Sequence, residues 1–267
     1  MAEMSNLLDG RAHSGVCVAS ESHTLDASRV IEQEQPLGIL CATWGETIPF
    51  LRHMDACTEL RRGPRSFFEG TCAGCDVVVA CAGVGKVNAA MATQQLVDNY
   101  SVAGVLNAGA AGAADAALEL FDIVVSSACM HHDVPDFVLC DSYPYYASQE
   151  FASDATLLAA AHVASKAWRK PFVFGRTATG ECFMDDSNRD AIVASCSPLA
   201  VDMETAAMAQ TCEANKIPFI ALRCITDTPA LSGFDSYAKH ADEASEYACQ
   251  AVELLLHALV ADERYAV

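Results

Sequence analysis

"DVVVACAGVGKVNAAMATQQLVDNYSVAGVLNAGAAG", residues 76–112, sets two short apolar runs on either side of a longer alanine-rich one. "DVVVACAG" (76–83) and "VAGVLNAG" (102–109) are apolar at successive positions, which is the pattern of strands covered on both faces. "KVNAAMATQQLVDNY" (86–100) between them is a helical candidate. The unit therefore points to a sheet with helices packed on it.

Working outward, the same alternation continues. "LGILCA" (37–42), "DIVVSS" (122–127), "FVFGR" (172–176), "LAVDM" (199–203) and "PFIALRCI" (218–225) read as strands. "SDATLLAAAHVASKA" (153–167), "SNRDAIVAS" (187–195) and "ETAAMAQTCEANK" (204–216) read as helices, with Ser153 or Asp154 capping the first and Ser187 the second. A last helix is expected from about Asp235 to Asp262, carrying Tyr237, Ala241, Ala244, Ala248, Val252 and Leu255 on one stripe. The fold class is α/β, a three-layer αβα sandwich. Residues 1–36 are polar and without period, so they are expected to form a partly disordered extension before one catalytic domain over 37–267.

The 267 residues carry 16 Lys and Arg against 35 acids, a formal charge of -19. That field repels polyanions, so nucleic acid is an unexpected partner. No run reaches the roughly 18 apolar residues of a membrane span, and no basic start precedes an apolar stretch. A cytoplasmic location with no membrane partner is expected. The 13 cysteines are scattered through apolar runs and read as buried small hydrophobes. Cys72 and Cys75 form a CxxC, but a zinc site needs two further ligands that the adjacent sequence does not offer, so no metal or cofactor is expected.

Ligands in open α/β sheets lie at the carboxyl ends of strands, and polar residues stand at four such ends. Glu46 follows the first run, "NAGAAG" follows "VAGVL", Asp202 to Glu204 close "LAVDM", and Arg223 with Asp227 close "FIALRCITD". Each has a plain local reading. Glu46 could open a helix, Glu204 could sit at the positive end of a helix dipole, and Asp227 could be a turn residue before Pro229. "AGVGK" (82–86) is neither a P-loop nor GxGxxG, and Lys86 could be an exposed helix-start lysine.

Taken in order, these segments resemble the nucleoside phosphorylase/nucleosidase superfamily over about residues 37 to 260, and within it the 5'-methylthioadenosine/S-adenosylhomocysteine nucleosidases. "LGILCATWGETIPFL" resembles the family's first strand and acid-bearing loop, "ACAGVGKVNAA" its Gly-Val-Gly-Lys turn, and "NAGAAG" its Asn-Thr-Gly-Ser-Ala-Gly turn. "TGECFM" is similar to the base-binding segment, "AVDMETAAMAQTC" to the ribose-binding junction, and "PFIALRCITD" to the strand ending in the catalytic acid. The resemblance implies a central mixed sheet, a homodimer, and hydrolysis of a 5'-thio-substituted adenosine to adenine and a thioribose.

It also implies roles. Asp227 would protonate the purine N7, Glu46 would deprotonate water, and Arg223 would position water or a carboxylate. Glu204 would accept the ribose hydroxyls and stabilise positive charge on the sugar, with Met203 packed on the sugar and Asp202 beside it where the family often has Glu. Phe183 would stack on the purine while the Met184 backbone reads its edge, and Phe234 would line the sugar or 5'-group pocket. His131 and His132 fall near the family's His-Asp segment at the dimer side of the site, with a surface loop as an equal alternative. Ala110 replaces the family's serine, removing a hydroxyl that helps bind water or orient the ribose-binding acid. Residues 133–150 diverge and are expected to shape the 5' end of the pocket. The rival readings are a phosphorylase, a hydrolase of futalosine or inosine, and a non-catalytic nucleoside-binding module. Absence of arginine from "ATWGET" and "NAGAAG" favours water over phosphate.

Overall fold

Ten strands and seven helices are built in the computed structural model, which describes residues 35–231 and 233–261. The extension expected over 1–36 lies outside the described residues as far as residue 34. All seven apolar runs form strands: β1 (Leu37–Cys41), β4 (Cys75–Cys81), β5 (Gly104–Ala113), β6 (Ile123–His131), β8 (Val173–Thr179), β9 (Ala200–Asp202) and β10 (Phe219–Asp227). Three more strands join them, the hairpin β2 (Asp55–Arg62) and β3 (Arg65–Cys72) and the short β7 (Glu150–Ala152). The helices are α1 (Trp44–His53), α2 (Lys86–Tyr100), α3 (Asp136–Leu139), α4 (Ala155–Ala167), α5 (Arg189–Cys196), α6 (Thr205–Asn215) and α7 (Phe234–Ala261).

Strand periodicity of two explains why both faces of the sheet are apolar. Ile39, Val77, Val79, Ile220 and Leu222 enter one core with Leu157, Ala161, Ala248, Val252 and Leu255 from α4 and α7. Their sequence neighbours Leu40, Val78, Ala80, Phe219 and Ala221 enter a second core with Ala89, Leu96, Ala206 and Met208 from α2 and α6. Two cores on opposite faces of one sheet give the three layers. Each fully buried Leu or Ile contributes about 1.5–3 kcal/mol, so the sheet centre is well anchored.

The sheet is mixed, in the order β10-β6-β8-β9-β5-β1-β4-β3-β2, and β10 also pairs with β5. That extra pairing closes the strands β10, β6, β8, β9 and β5 on themselves. It arises because β5 is long: Gly104 to Asn107 pair with β1, while Gly112 and Ala113 pair with Val201 and Ala200 of β9. The closure brings "NAGAAG", "VDME" and the end of β10 together.

Capping differs from expectation in one place. Asp154 caps α4 by accepting from the amides of Thr156 and Leu157. The N-cap of α5 is Asn188 rather than Ser187, because Asp185 draws the Ser187 hydroxyl and amide into a turn ahead of the helix.

Candidate active site

A cavity of about 170 Å³ opens where β5, β9 and β10 end. Glu46, Ala110, Phe183, Met184, Asp202, Met203, Glu204, Arg223, Asp227 and Phe234 all line it. The sequence-expected residues are therefore assembled in one place, around four acids and one arginine.

Glu46 serves two structural ends at once. It is the third residue of α1 and completes a capping box with Thr43, its Oε2 accepting from the Thr43 amide at 2.9 Å and hydroxyl at 3.2 Å. Its Oε1 accepts from the Ala110 amide at 2.7 Å. The helix-opening reading thus holds, but the second oxygen reaches across to β5. Gly109 permits that reach, since a Cβ there would lie 2.2 Å from Glu46 Oε1. Three donors occupy three of roughly four carboxylate acceptor positions, leaving one for a small molecule such as water.

Glu204 makes no side-chain cap bond at the start of α6. Asp202 supplies the cap instead, its Oδ1 accepting from the amides of Glu204 at 3.2 Å and Thr205 at 3.1 Å and from the Thr179 hydroxyl at 2.6 Å. Its Oδ2 accepts from the Thr205 hydroxyl. Freed from capping, Glu204 accepts from the Gly85 amide at 2.9 Å through Oε1 and faces Arg223 at 3.4 Å through Oε2. Burial pushes its carboxyl up to about 7, against the pull of Arg223, with Asp202 adding to the rise.

Arg223 is itself buried and links three groups. Its Nη1 donates to Asn107 Oδ1 at 3.0 Å, and its Nε lies 3.3 Å from Asp202 Oδ2. Burial alone would lower the guanidinium, yet Asp202, Glu46 and Glu204 together hold it above its ordinary value. Removing one partner from such a buried group typically costs about 3–5 kcal/mol.

Asp227 ends β10 rather than forming a turn of its own. Its Oδ1 accepts from Thr226 at 3.1 Å, whereas its Oδ2 is buried with no hydrogen-bond partner. Burial raises its pKa, outweighing Thr226, Arg189 and His240. Gly112 clears the space beside it, because a Cβ there would lie 2.8 Å from Oδ2. That bare oxygen is open to a hydrogen bond with a ligand in the cavity.

An aromatic wall faces these acids. Phe183 and Phe234 have ring centroids 6.1 Å apart, and Tyr237 stands 6.0 Å from Phe183 and 5.6 Å from Phe234. Tyr237, read as part of the buried stripe of α7, lines the cavity; its position one turn after Phe234 was the available sign. Thr43 and Thr226 also line the cavity, and Asn107 stands behind Arg223, all unforeseen.

Two amides of the glycine turn before α2 are already engaged. Gly85 donates to Glu204, and Lys86 donates to Glu181 at 3.0 Å through its backbone. The Lys86 ammonium pairs with Asp133 at 2.7 Å. His131 is buried and meets Gln210 at 3.0 Å, so it is not a surface-loop residue. Residues 133–150 do not line the cavity of a single chain; Val134, Val138, Leu139 and Tyr146 wall a neighbouring groove with His131 and Gln210.

The chain is similar to known proteins over most of its length. The family model described as the phosphorylase superfamily matches residues 36–259. A 5'-methylthioadenosine/S-adenosylhomocysteine nucleosidase of Anoxybacillus flavithermus is 34% identical over 213 residues, covering 76% of this chain and 89% of its own length. Among solved structures, the nucleosidase of that name from Neisseria meningitidis in complex with methylthio-immucillin-A superposes with a TM-score of 0.78 at 27% identity, covering 84% of this chain and 100% of that one. The Colwellia psychrerythraea nucleosidase in complex with adenine gives 0.76 at 30% identity, covering 84% and 96%.

Proposed function

The chain belongs to the phosphorylase superfamily, and from that premise we propose that it hydrolyses the N-glycosidic bond of a 5'-thio-substituted adenosine, methylthioadenosine or S-adenosylhomocysteine, releasing adenine and a thioribose. The observation that carries this reading is the pairing of unlike carboxyls in one cavity. Asp227 has a free buried oxygen, and Glu46 is held by three donors with room for one more.

The chemistry follows from those positions. Asp227, its pKa raised by burial, donates a proton to the purine N7 so that the base leaves neutral. Glu46 orients a water and takes its proton as that water attacks the sugar carbon. Glu204 has acceptor capacity left after Gly85 and Arg223, enough for two neighbouring ribose hydroxyls, and in its ionised form, which Arg223 favours against burial, it stabilises the oxocarbenium-like transition state. Arg223 and Asp202 position Glu204. Phe183 stacks on the base, Met184 reads its edge through the backbone, Met203 packs on the sugar, and Phe234 borders the 5'-group.

Water is favoured over phosphate by where the cations and amides go. Arg223 is the one Lys or Arg among the described residues lining the cavity, and it faces Asn107, Asp202 and Glu204. The Gly85 and Lys86 amides at the start of α2 are taken by Glu204 and Glu181. Ala110 keeps the amide that holds Glu46, so the missing serine hydroxyl does not loosen the base.

The same proposal places the enzyme in the cytoplasm as a homodimer. All cysteines among the described residues are free thiols, as a reducing compartment requires. Val87 and Val138 are exposed and wall the His131 groove, and Met91 and Phe137 are exposed on the same helices, α2 and α3, a surface suited to a second copy. The testing experiment incubates the protein with methylthioadenosine with and without phosphate and separates the products. Adenine with free methylthioribose at a phosphate-independent rate is expected; a sugar phosphate formed only with phosphate would make it a phosphorylase.

A further inference from the structure

The catalytic cavity uses the first turns of α1 and α7, and a separate cluster forms where the end of α1 meets a later part of α7. His53 is the last residue of α1, seven residues and about 10 Å along the axis from Glu46. Cys249 and Glu253 are one turn apart on α7, and Cys72 ends β3. His53 Nδ1 lies 2.8 Å from Glu253 Oε1 and 3.9 Å from Cys249 Sγ, and Cys72 Sγ lies 3.9 Å from the same Glu253 oxygen.

We propose that His53 Nδ1, Cys249 Sγ and Glu253 Oε1, joined by Cys72 Sγ, bind a borderline-soft divalent cation of the Zn²⁺ class, clamping the end of α1 and the β3 terminus onto α7. The donor types are those zinc takes, thiolate, imidazole and carboxylate. Tetrahedral bonds of about 2.0–2.3 Å put neighbouring donors roughly 3.3–3.8 Å apart. The donors of His53, Cys249 and Glu253 lie within 4.8 Å of one another, and Cys72 Sγ reaches the group through Glu253 at 3.9 Å, so a tetrahedral site requires the Cys72 thiol to move inward. The His53 and Glu253 side chains are 37% and 23% exposed while Cys249 is buried, so an ion has an entry side and a dry floor.

The cluster also resolves the CxxC. Cys75 Sγ turns to the Leu256 carbonyl at 3.7 Å, so the motif contributes Cys72 alone and the other ligands come from residues far along the chain. Metal ligation takes the thiolate form, so binding releases one proton for each thiol that becomes a ligand, and the two thiolates with the carboxylate outweigh the charge of the dication by one.

The test uses the full chain, reduced and stripped with a chelator, titrated with Co²⁺ and then Zn²⁺. The expected result is one equivalent of Co²⁺ showing a thiolate-to-cobalt charge-transfer band and tetrahedral visible bands, displaced by Zn²⁺, with proton release and a higher Tm. Cys249→Ser should lose the charge-transfer intensity and weaken binding beyond the roughly 10–100-fold typical of an outer-shell change. His53→Gln, at an accessible helix end, should weaken binding while circular dichroism shows the fold intact, and Cys57→Ser, an exposed thiol elsewhere, should change nothing. Absence of a thiolate band in the wild type, a band unchanged in both Cys249→Ser and His53→Gln, or binding with no rise in Tm would overturn the proposal.

Discussion

The two sides of the cavity use the same side-chain chemistry for opposite ends. On one side Glu46, Asp202 and Glu204 have their oxygens engaged by amides, hydroxyls and Arg223. On the other, Asp227 sits near Met184 and Gly112 with one oxygen engaged and the other bare. In the proposed mechanism the engaged carboxyls accept and orient, whereas Asp227, whose buried bare oxygen favours the neutral form, gives the proton. Environment, rather than residue type, divides the labour.

Substitutions that erase this contrast should act most strongly. Asp227→Asn keeps the shape of the base side and removes its proton, so turnover should fall by about 10²–10⁴-fold, measured as adenine release, with the circular dichroism spectrum unchanged. Next, Glu204→Gln removes the charge facing the sugar, and kcat/KM should drop by about 10²–10³-fold with weaker substrate binding in calorimetry. Gly109→Ala leaves every acid in the sequence but drives a Cβ into Glu46, 2.2 Å from Oε1. Displacing the base by about an ångström should cost roughly 10²-fold in kcat, read at saturating substrate. Ala110→Ser sharpens the comparison from the other direction: it adds a hydroxyl while keeping the amide that holds Glu46, so the rate should change by less than about tenfold, the reach of one hydrogen bond.

Burial also has a signature in stability, here on the donor-rich side of the cavity. Glu204 has a folded pKa of about 7 against an ordinary 4.5, so between those values the folded state binds more protons than the unfolded. Stability should therefore fall as pH rises through that window, with the penalty complete above about 7. In Glu204→Gln the group no longer titrates, and urea midpoints measured from pH 4.5 to 7 should run flatter than in the wild type.

The sequence revealed the parts of this molecule whose pattern is local. Runs such as "DVVVACAG" announce strands because both faces meet helices, and acids at strand ends announce the cavity because the topology gathers those ends. The hairpin strand β2, "DACTELRR", was invisible because it is exposed along nearly its whole length and pairs only with β3, so it carries no apolar period. Tyr237 read as core because helix periodicity gives the face of a residue but not whether that face meets packing or a cavity. The His53, Cys72, Cys249 and Glu253 cluster draws on residues nearly 200 positions apart, a separation that no spacing rule spans.

The claim that burial raises the affinity of Asp227 for its proton is open to a direct measurement. Carbon-13 NMR of aspartate-labelled protein, with the Asp227 carboxyl identified by its loss in Asp227→Asn, would follow that group through a pH titration. A midpoint clearly above the ordinary 3.8 is the result expected. A midpoint at or below it would mean that the group is ionised at working pH, and the proton for the leaving base would have to come from elsewhere.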